Sequence, residues 1–186
     1  MTRLAALYAR ARADIAKLDV QGDLAHPVFG EGPARARLML IGEAPGREEA
    51  AAGRPFVGRA GETLTRLLAG VSLAREDVFI TNAVKYRPTN GNRNRTPSRA
   101  EILAGQELLF AEIALVRPRV IATLGNVPLR ALNVRHTVGA CHGQLMSMGK
   151  YSLFALYHPA SVMYNRALGA VLEEDIEALA EAVKNL

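Results

Sequence analysis

Residues 78–98, VFITNAVKYRPTNGNRNRTPS, decide how the chain is read. Val78, Phe79 and Ile80 form a short continuous apolar run, the pattern of a strand covered on both faces. Asn82 sits at its exit, and a basic, asparagine-rich loop follows, with Tyr86 between Lys85 and Arg87. The loop ends where a helix begins: Ser98 with Glu101 three residues later is a capping-box pattern. A buried strand, a polar loop and a capped helix in succession are a piece of an α/β fold, with Asn82 at a strand's carboxyl end.

Working outward, RLMLIGE (37–43), RVIATLG (119–125) and YSLFALYHP (151–159) read as further buried strands, which makes four convincing strands with the first. Helical spacing appears at Leu4, Leu7, Ala11, Ile15 and Leu18, at Leu64, Leu67 and Leu68, and from Ile102 through Leu109 and Ile113 to about Val116. It returns over NVPLRAL after Gly125 and over the closing segment 168–186. Residues 143–149 read as an edge strand or hairpin. Apolar strands alternating with helices predict a three-layer α/β/α sandwich with a mainly parallel four-stranded sheet. No repeat, low-complexity linker or composition break divides the chain, so residues 1–186 are expected to form one domain.

Composition narrows the function. The apolar fraction is 49%, the charged fraction 22% and the formal charge +5, with arginine in excess over lysine. That balance suits a polyanionic partner without requiring one. No apolar run reaches the roughly 18 residues of a membrane span, and MTRLAALYARARADIAKLD lacks a secretory signal's apolar core. No membrane partner and a cytoplasmic location are therefore expected. The single cysteine, Cys141, can form neither an internal disulfide nor a thiolate metal cluster. His26, His136 and His142 show no metal-ligand spacing, Cys141 beside His142 is not a nucleophilic dyad by adjacency alone, and Ser161 lacks a nucleophile elbow. No metal and no cofactor are expected.

In parallel α/β sheets ligands gather beyond the strand carboxyl ends. That rule selects Glu43, Asn82, Gly125 and His158. Between the first two lies GEAPGREEAAAGRPFVGRAG (42–61), a loop rich in glycine and proline that matches neither a P-loop nor a dinucleotide fingerprint. Each candidate has a plain alternative. Glu43 positions a water or anchors loop amides; Phe56 stacks a base or fills the core; Asn82 reads a base edge or satisfies a turn. His158 donates to a developing anion or is a loop histidine. Glu48 and Glu49, adjacent in sequence, read as a solvated loop or first helical turn. Taken together, the first-named roles describe one reaction: a flipped base stacked on Phe56 and held by Asn82, its departing anion stabilised by His158, and a water placed by Glu43.

VFGEGPARARLMLIGEAPG, GRPFVGRAGETL, VFITNAVKYRP, NRTPSRAEI, RPRVIATLG and YHPASV, in this order, resemble the uracil-DNA glycosylase superfamily, particularly its family 4 branch. The resemblance covers a core from residue 28 to 186, with residues 1–27 as an N-terminal helix and loop. It implies excision of uracil from DNA to leave an abasic site, with Glu43 and His158 catalytic and Gly42, Ala44, Phe56 and Asn82 in the base pocket. It implies a DNA-intercalating loop after His158, with Ser161, Val162, Met163 and Tyr164 as DNA contacts; the charges of Lys85, Arg87, Arg93 and Arg95 suit contacts to the DNA backbone or simply a solvated face, and that of Arg166 suits a flanking phosphate. The implied partner is uracil-containing or otherwise deaminated DNA, met by a monomer. Alternatives within the same resemblance are a glycosylase for another deaminated base, such as hypoxanthine, and a catalytically weak binder of damaged DNA or abasic sites.

Three departures accompany it. Family 4 members hold a four-iron, four-sulfur cluster through cysteines, but Tyr86 stands where a ligand is expected and one cysteine cannot supply four. Ala50 replaces an acidic residue that commonly follows the glutamate pair. Gly46 stands where better-known uracil-specific relatives carry a methyl-excluding tyrosine, although family 4 generally has glycine there.

Overall fold

Alternation along the buried strands builds two cores at once, because successive side chains of a strand point to opposite faces. In the computed structural model, which describes residues 2–186, Met39, Ile41, Phe79 and Ile121 face one layer of helices while Leu38, Leu40, Ile80 and Ala122 face the other. The elements in chain order are α1 (Arg3–Ile15), β1 (Gly22–Asp23), β2 (Leu38–Gly42), α2 (Arg47–Ala52), α3 (Arg59–Gly70), β3 (Phe79–Asn82), β4 (Arg87–Asn90), β5 (Arg93–Asn94), α4 (Arg99–Val116), β6 (Val120–Leu124), α5 (Asn126–Ala131), α6 (Val138–Cys141), β7 (Leu145–Met148), β8 (Tyr151–Leu156) and α7 (Leu168–Asn185). Short 3-10 turns lie at Arg75–Asp77 and Pro159–Met163.

The main sheet has the order β3-β2-β6-β8-β7. Its first four strands are parallel, as the apolar runs predict, and β7 adds a fifth, antiparallel edge on β8. Segment 143–149 thus supplies an edge strand. Ile102, Leu109, Ile113 and Val116 of α4 close one face; Leu64 and Leu68 of α3 with Leu172, Ile176 and Leu179 of α7 close the other. The capping box at the start of α4 forms as expected: Glu101 N donates to Ser98 Oγ at 3.3 Å and Ser98 N to Glu101 Oε2 at 2.7 Å.

Parallel pairing of β2 and β3 aligns Gly42 with Asn82, so two predicted site residues lie side by side. Beyond the strands the chains stay joined, with Ala83 N donating to Gly42 O at 2.9 Å and Val84 N to Glu43 O at 3.1 Å. The basic segment after Tyr86 differs from the expected loop. It is a hairpin, β4–β5, turning at Gly91 with φ 57°, and β1 pairs with it to make a second, three-stranded sheet. Its polar strands have no apolar alternation to betray them; Asn90-Gly91 was the available turn signal.

Tyr86 is 4% exposed and its hydroxyl donates to Glu101 Oε1 at 2.9 Å, while Cys141 is buried on α6. The position that would hold a cluster ligand is therefore filled by an aromatic ring anchored on a carboxylate, and an iron–sulfur cluster does not fit this chain. Among the described residues, no helix is long and apolar enough to cross a membrane.

Candidate active site

The site grows from the missing side chain at Gly42. A Cβ there would collide with Asn82 Oδ1 and lie 2.5 Å from the Phe56 ring. Both base-facing candidates thus lie over the end of β2, and only glycine leaves them room. Asn82 is 2% exposed and Phe56 6%, so they form a floor rather than a rim.

Phe56 adopts φ 53°, in the left-handed region that a bulky residue avoids. Such a conformation costs about 1–3 kcal/mol and persists only where neighbours impose it. Arg75 donates to Pro55 O at 2.7 Å on one side, and on the other Glu49 Oε1 accepts from Val57 N at 3.2 Å and Gly58 N at 2.9 Å. Glu49 Oε2 also accepts from Gly46 N at 3.0 Å. One carboxylate therefore ties the start of α2 to the segment carrying Phe56. This corrects the reading of Glu49 as a solvated residue, although both glutamates do lie in the first turn of α2. Ala50 itself is buried on α2, beside the carboxylate that closes the loop.

His158 follows β8 and caps the next turn, where Ala160 N donates to its Nδ1 at 3.2 Å. With Nδ1 engaged as an acceptor, the proton of a neutral ring belongs on Nε2. Burial depresses the His158 pKa to about 4, against the opposing charge of Glu49. The imidazole is accordingly neutral at neutral pH. Its ring centroid lies 5.8 Å from that of Phe56.

Ala44, Phe56, Asn82 and His158 meet in one cleft of about 600 Å³, with Arg93 and Asn94 of the hairpin on its wall. Glu43 does not line that wall. Burial pushes its pKa up, while a hydrogen bond from Thr96 and the charge of Arg130 oppose the shift. Glu49, Asn94, Thr96 and Arg130 are the site neighbours that sequence reasoning missed. Only Glu49 carried a signal, its spacing of three from Gly46 at a helix start.

Two expected DNA contacts are corrected. Lys85 is 1% exposed and bonds to Glu112, Thr81 and the Asn82 carbonyl, so it reaches no phosphate. Arg95 uses every N–H of its guanidinium internally: Nε on Thr89 O, Nη1 on Thr96 O and Glu101 Oε2, Nη2 on Gln21 O and Glu101 Oε1. Arg87 braces the hairpin, donating to Asn94 Oδ1 at 2.5 Å and Asn92 O at 2.9 Å, and lines the cleft. Arg93 and Arg166 are exposed. In the turn after His158, Ser161 Oγ is buried without a partner, and Val162 packs against the α3–α7 core. Met163 and Tyr164 project outward, 53% and 89% exposed.

A family profile described as the uracil DNA glycosylase superfamily matches residues 29–184. The chain is 42% identical over 168 residues to a type-4 uracil-DNA glycosylase of Saccharolobus solfataricus, covering 85% of this chain and 76% of that protein. It is 35% identical over 174 residues to a type-4 enzyme of Archaeoglobus fulgidus, covering 89% and 86%. To a type-4 enzyme of Thermotoga maritima it is 38% identical over 162 residues, covering 84% and 83%.

Proposed function

The chain belongs to the uracil DNA glycosylase superfamily, and from that premise we propose that it hydrolyses the N-glycosidic bond of uracil in DNA, leaving an abasic site for base excision repair. The observation that carries this reading is the convergence of Asn82 and Phe56 over Gly42, with a neutral His158 in the same cleft.

In the proposed reaction the target nucleotide leaves the helix and its base slides onto Phe56. Asn82 offers one carbonyl and one amide group, matching a base edge that presents a donor beside an acceptor. As the C1′–N1 bond breaks, electrons move onto the base, and the Nε2–H of His158 donates to the oxygen that gains charge. A neutral donor already in place needs no reorganisation at that moment, and one such donor is worth about 10²–10³ in rate. Glu43, next to Ala44 of the cleft, positions the water that adds to C1′ of the sugar, and the proton that the water sheds neutralises the departing base anion. Met163 and Tyr164 are the wedge that fills the space left by the flipped base, with Arg93 and Arg166 on flanking phosphates.

The test is time-resolved base release from matched single- and double-stranded oligonucleotides carrying uracil, hypoxanthine, xanthine or thymine. Uracil is expected to be released first, His158→Ala to slow release by about 10²–10³ with little change in DNA binding, and Asn82→Ala to abolish discrimination among bases. Binding without release of any base would sink the proposal.

A further inference from the structure

Beneath the base pocket lies a polar network closed to solvent. Lys85 Nζ donates to the backbone carbonyl of Asn82 at 2.5 Å, to Thr81 Oγ1 at 2.7 Å and to Glu112 Oε2 at 2.6 Å. Those acceptors use all the N–H bonds of an ammonium group. Glu112 on α4 accepts in turn from Thr81 Oγ1 at 3.1 Å and from the Tyr8 hydroxyl of α1 at 2.9 Å. The side chains of Lys85 and Glu112 are 1% and 0% exposed.

Stripping water from such a pair is costly for each ion, and apolar side chains of similar volume often serve stability as well or better. Stability is therefore a poor account of this lysine. What an apolar side chain cannot do is bond the Asn82 carbonyl, at the point where β3 stops. The peptide joining Asn82 to Ala83 has its oxygen on Lys85 and its N–H on Gly42 O, and the next amide, Val84 N, reaches Glu43 O. One peptide plane thus stands between the residue that reads the base and the strand end that carries the acid.

We infer that Lys85 is a positioning residue for base excision: through the Asn82 carbonyl it fixes the plane of the Asn82–Ala83 peptide, and with it the aim of the Asn82 carboxamide and the seat of Glu43. Glu112, steadied by Tyr8 and Thr81, holds the ammonium on that carbonyl. Hydrogen bonds chained through one peptide polarise one another, which stiffens the arrangement. The inference rests on the glycosylase reading above, because a base must be there to be aimed at.

The test replaces the pair by neutral side chains of similar size, Lys85→Met with Glu112→Gln, so that no charge is left buried alone. The double variant is expected to melt cooperatively and to bind undamaged duplex as the wild type does. Its single-turnover uracil release should fall by about 10- to 100-fold, the effect of a small misplacement of reacting groups. Inhibition by free uracil should weaken in parallel. Hydrogen exchange should quicken at the amides of Ala83 and Val84 and stay unchanged at Ile121 and Phe154. A wild-type release rate with wild-type protection at Ala83 and Val84 overturns the inference. Should the double variant melt below the assay temperature, Thr81→Val, which removes one acceptor of the ammonium and keeps the pair, decides the matter: slower release with faster exchange at both amides supports it, and unchanged values overturn it. If the wild-type protein releases no uracil, the glycosylase reading has failed, and exchange at Ala83 and Val84 with free-uracil binding judges Lys85 by itself.

Discussion

Two acid–base networks flank the exit of β3, and they differ in how dry they are. Lys85 and Glu112 are sealed, while Arg95, paired to Glu101 at 2.6 Å, keeps 27% of its side chain exposed. Both meet the same short stretch of chain, the dry one at Asn82 and the wetter one at Tyr86. The dry network takes no ligand from solvent and gives none up, so it can hold one geometry; the wetter one ties the hairpin, α4 and β1 together where relatives of family 4 resemblance would place cluster cysteines. Position is maintained where water cannot compete, and cohesion is supplied where it can.

The largest way to break this contrast is Lys85→Met alone. It leaves the Glu112 carboxylate buried without its cation, and the loss in unfolding free energy is expected to be about 3–5 kcal/mol. Denaturant titration checks it, and adding Glu112→Gln should recover most of the loss. An equal loss in the single and double variants would mean that the burial of charge is not the cause.

Acid titration probes the wetter network. Arg95 is the main cause holding the Glu101 carboxyl down at about 2 from an ordinary 4.5, against the effect of burial. A depressed carboxylate contributes stability that is fully present above 4.5 and disappears as pH falls toward 2, here on the order of 3 kcal/mol. Stability measured between pH 5 and 2 should fall by that much less in Glu101→Gln than in the wild type. Identical pH slopes would remove Glu101 from the account.

Substituting Arg95 and Arg93 in turn separates cohesion from DNA contact. Arg95→Ala should cost about 1–3 kcal/mol of stability, as expected for lost charged hydrogen bonds, and leave the salt dependence of DNA binding alone. Arg93→Ala should do the reverse, reducing the slope of log K against log salt by about 1. The smallest effect belongs to Tyr86→Phe, which keeps the ring and loses one hydrogen bond. About 1 kcal/mol is expected, with uracil release unchanged; a large drop in release would show that the hydroxyl reaches further into the site than Glu101.

The four parallel strands of the main sheet were legible because each is a run of apolar residues, and α4 because Ser98 and Glu101 announce its start. The strand-end rule picked out Asn82 and His158, which do meet in the cleft. Lys85 misled because an isolated lysine among basic residues is ordinarily solvated, and its partner lies 27 residues away on α4. A signal existed: Glu112 falls on the buried stripe of Leu109, Ile113 and Val116, where an acid needs a buried cation. Arg95 was illegible for another reason, since three of its acceptors are backbone carbonyls that no side-chain pattern marks. Glu49 was read from its adjacency to Glu48, yet its acceptor role depends on amides eight and nine residues away.

In the proposed function, base excision stands on packing and hydrogen bonds alone, without an iron–sulfur cluster. Single-turnover uracil release by freshly purified protein, with iron quantified in the same sample, tests it directly. Protein with no bound iron is expected to release uracil stoichiometrically, leaving alkali-labile abasic DNA. Iron-free protein that binds uracil-containing DNA and releases nothing, or release that tracks a stoichiometric complement of iron, would contradict it.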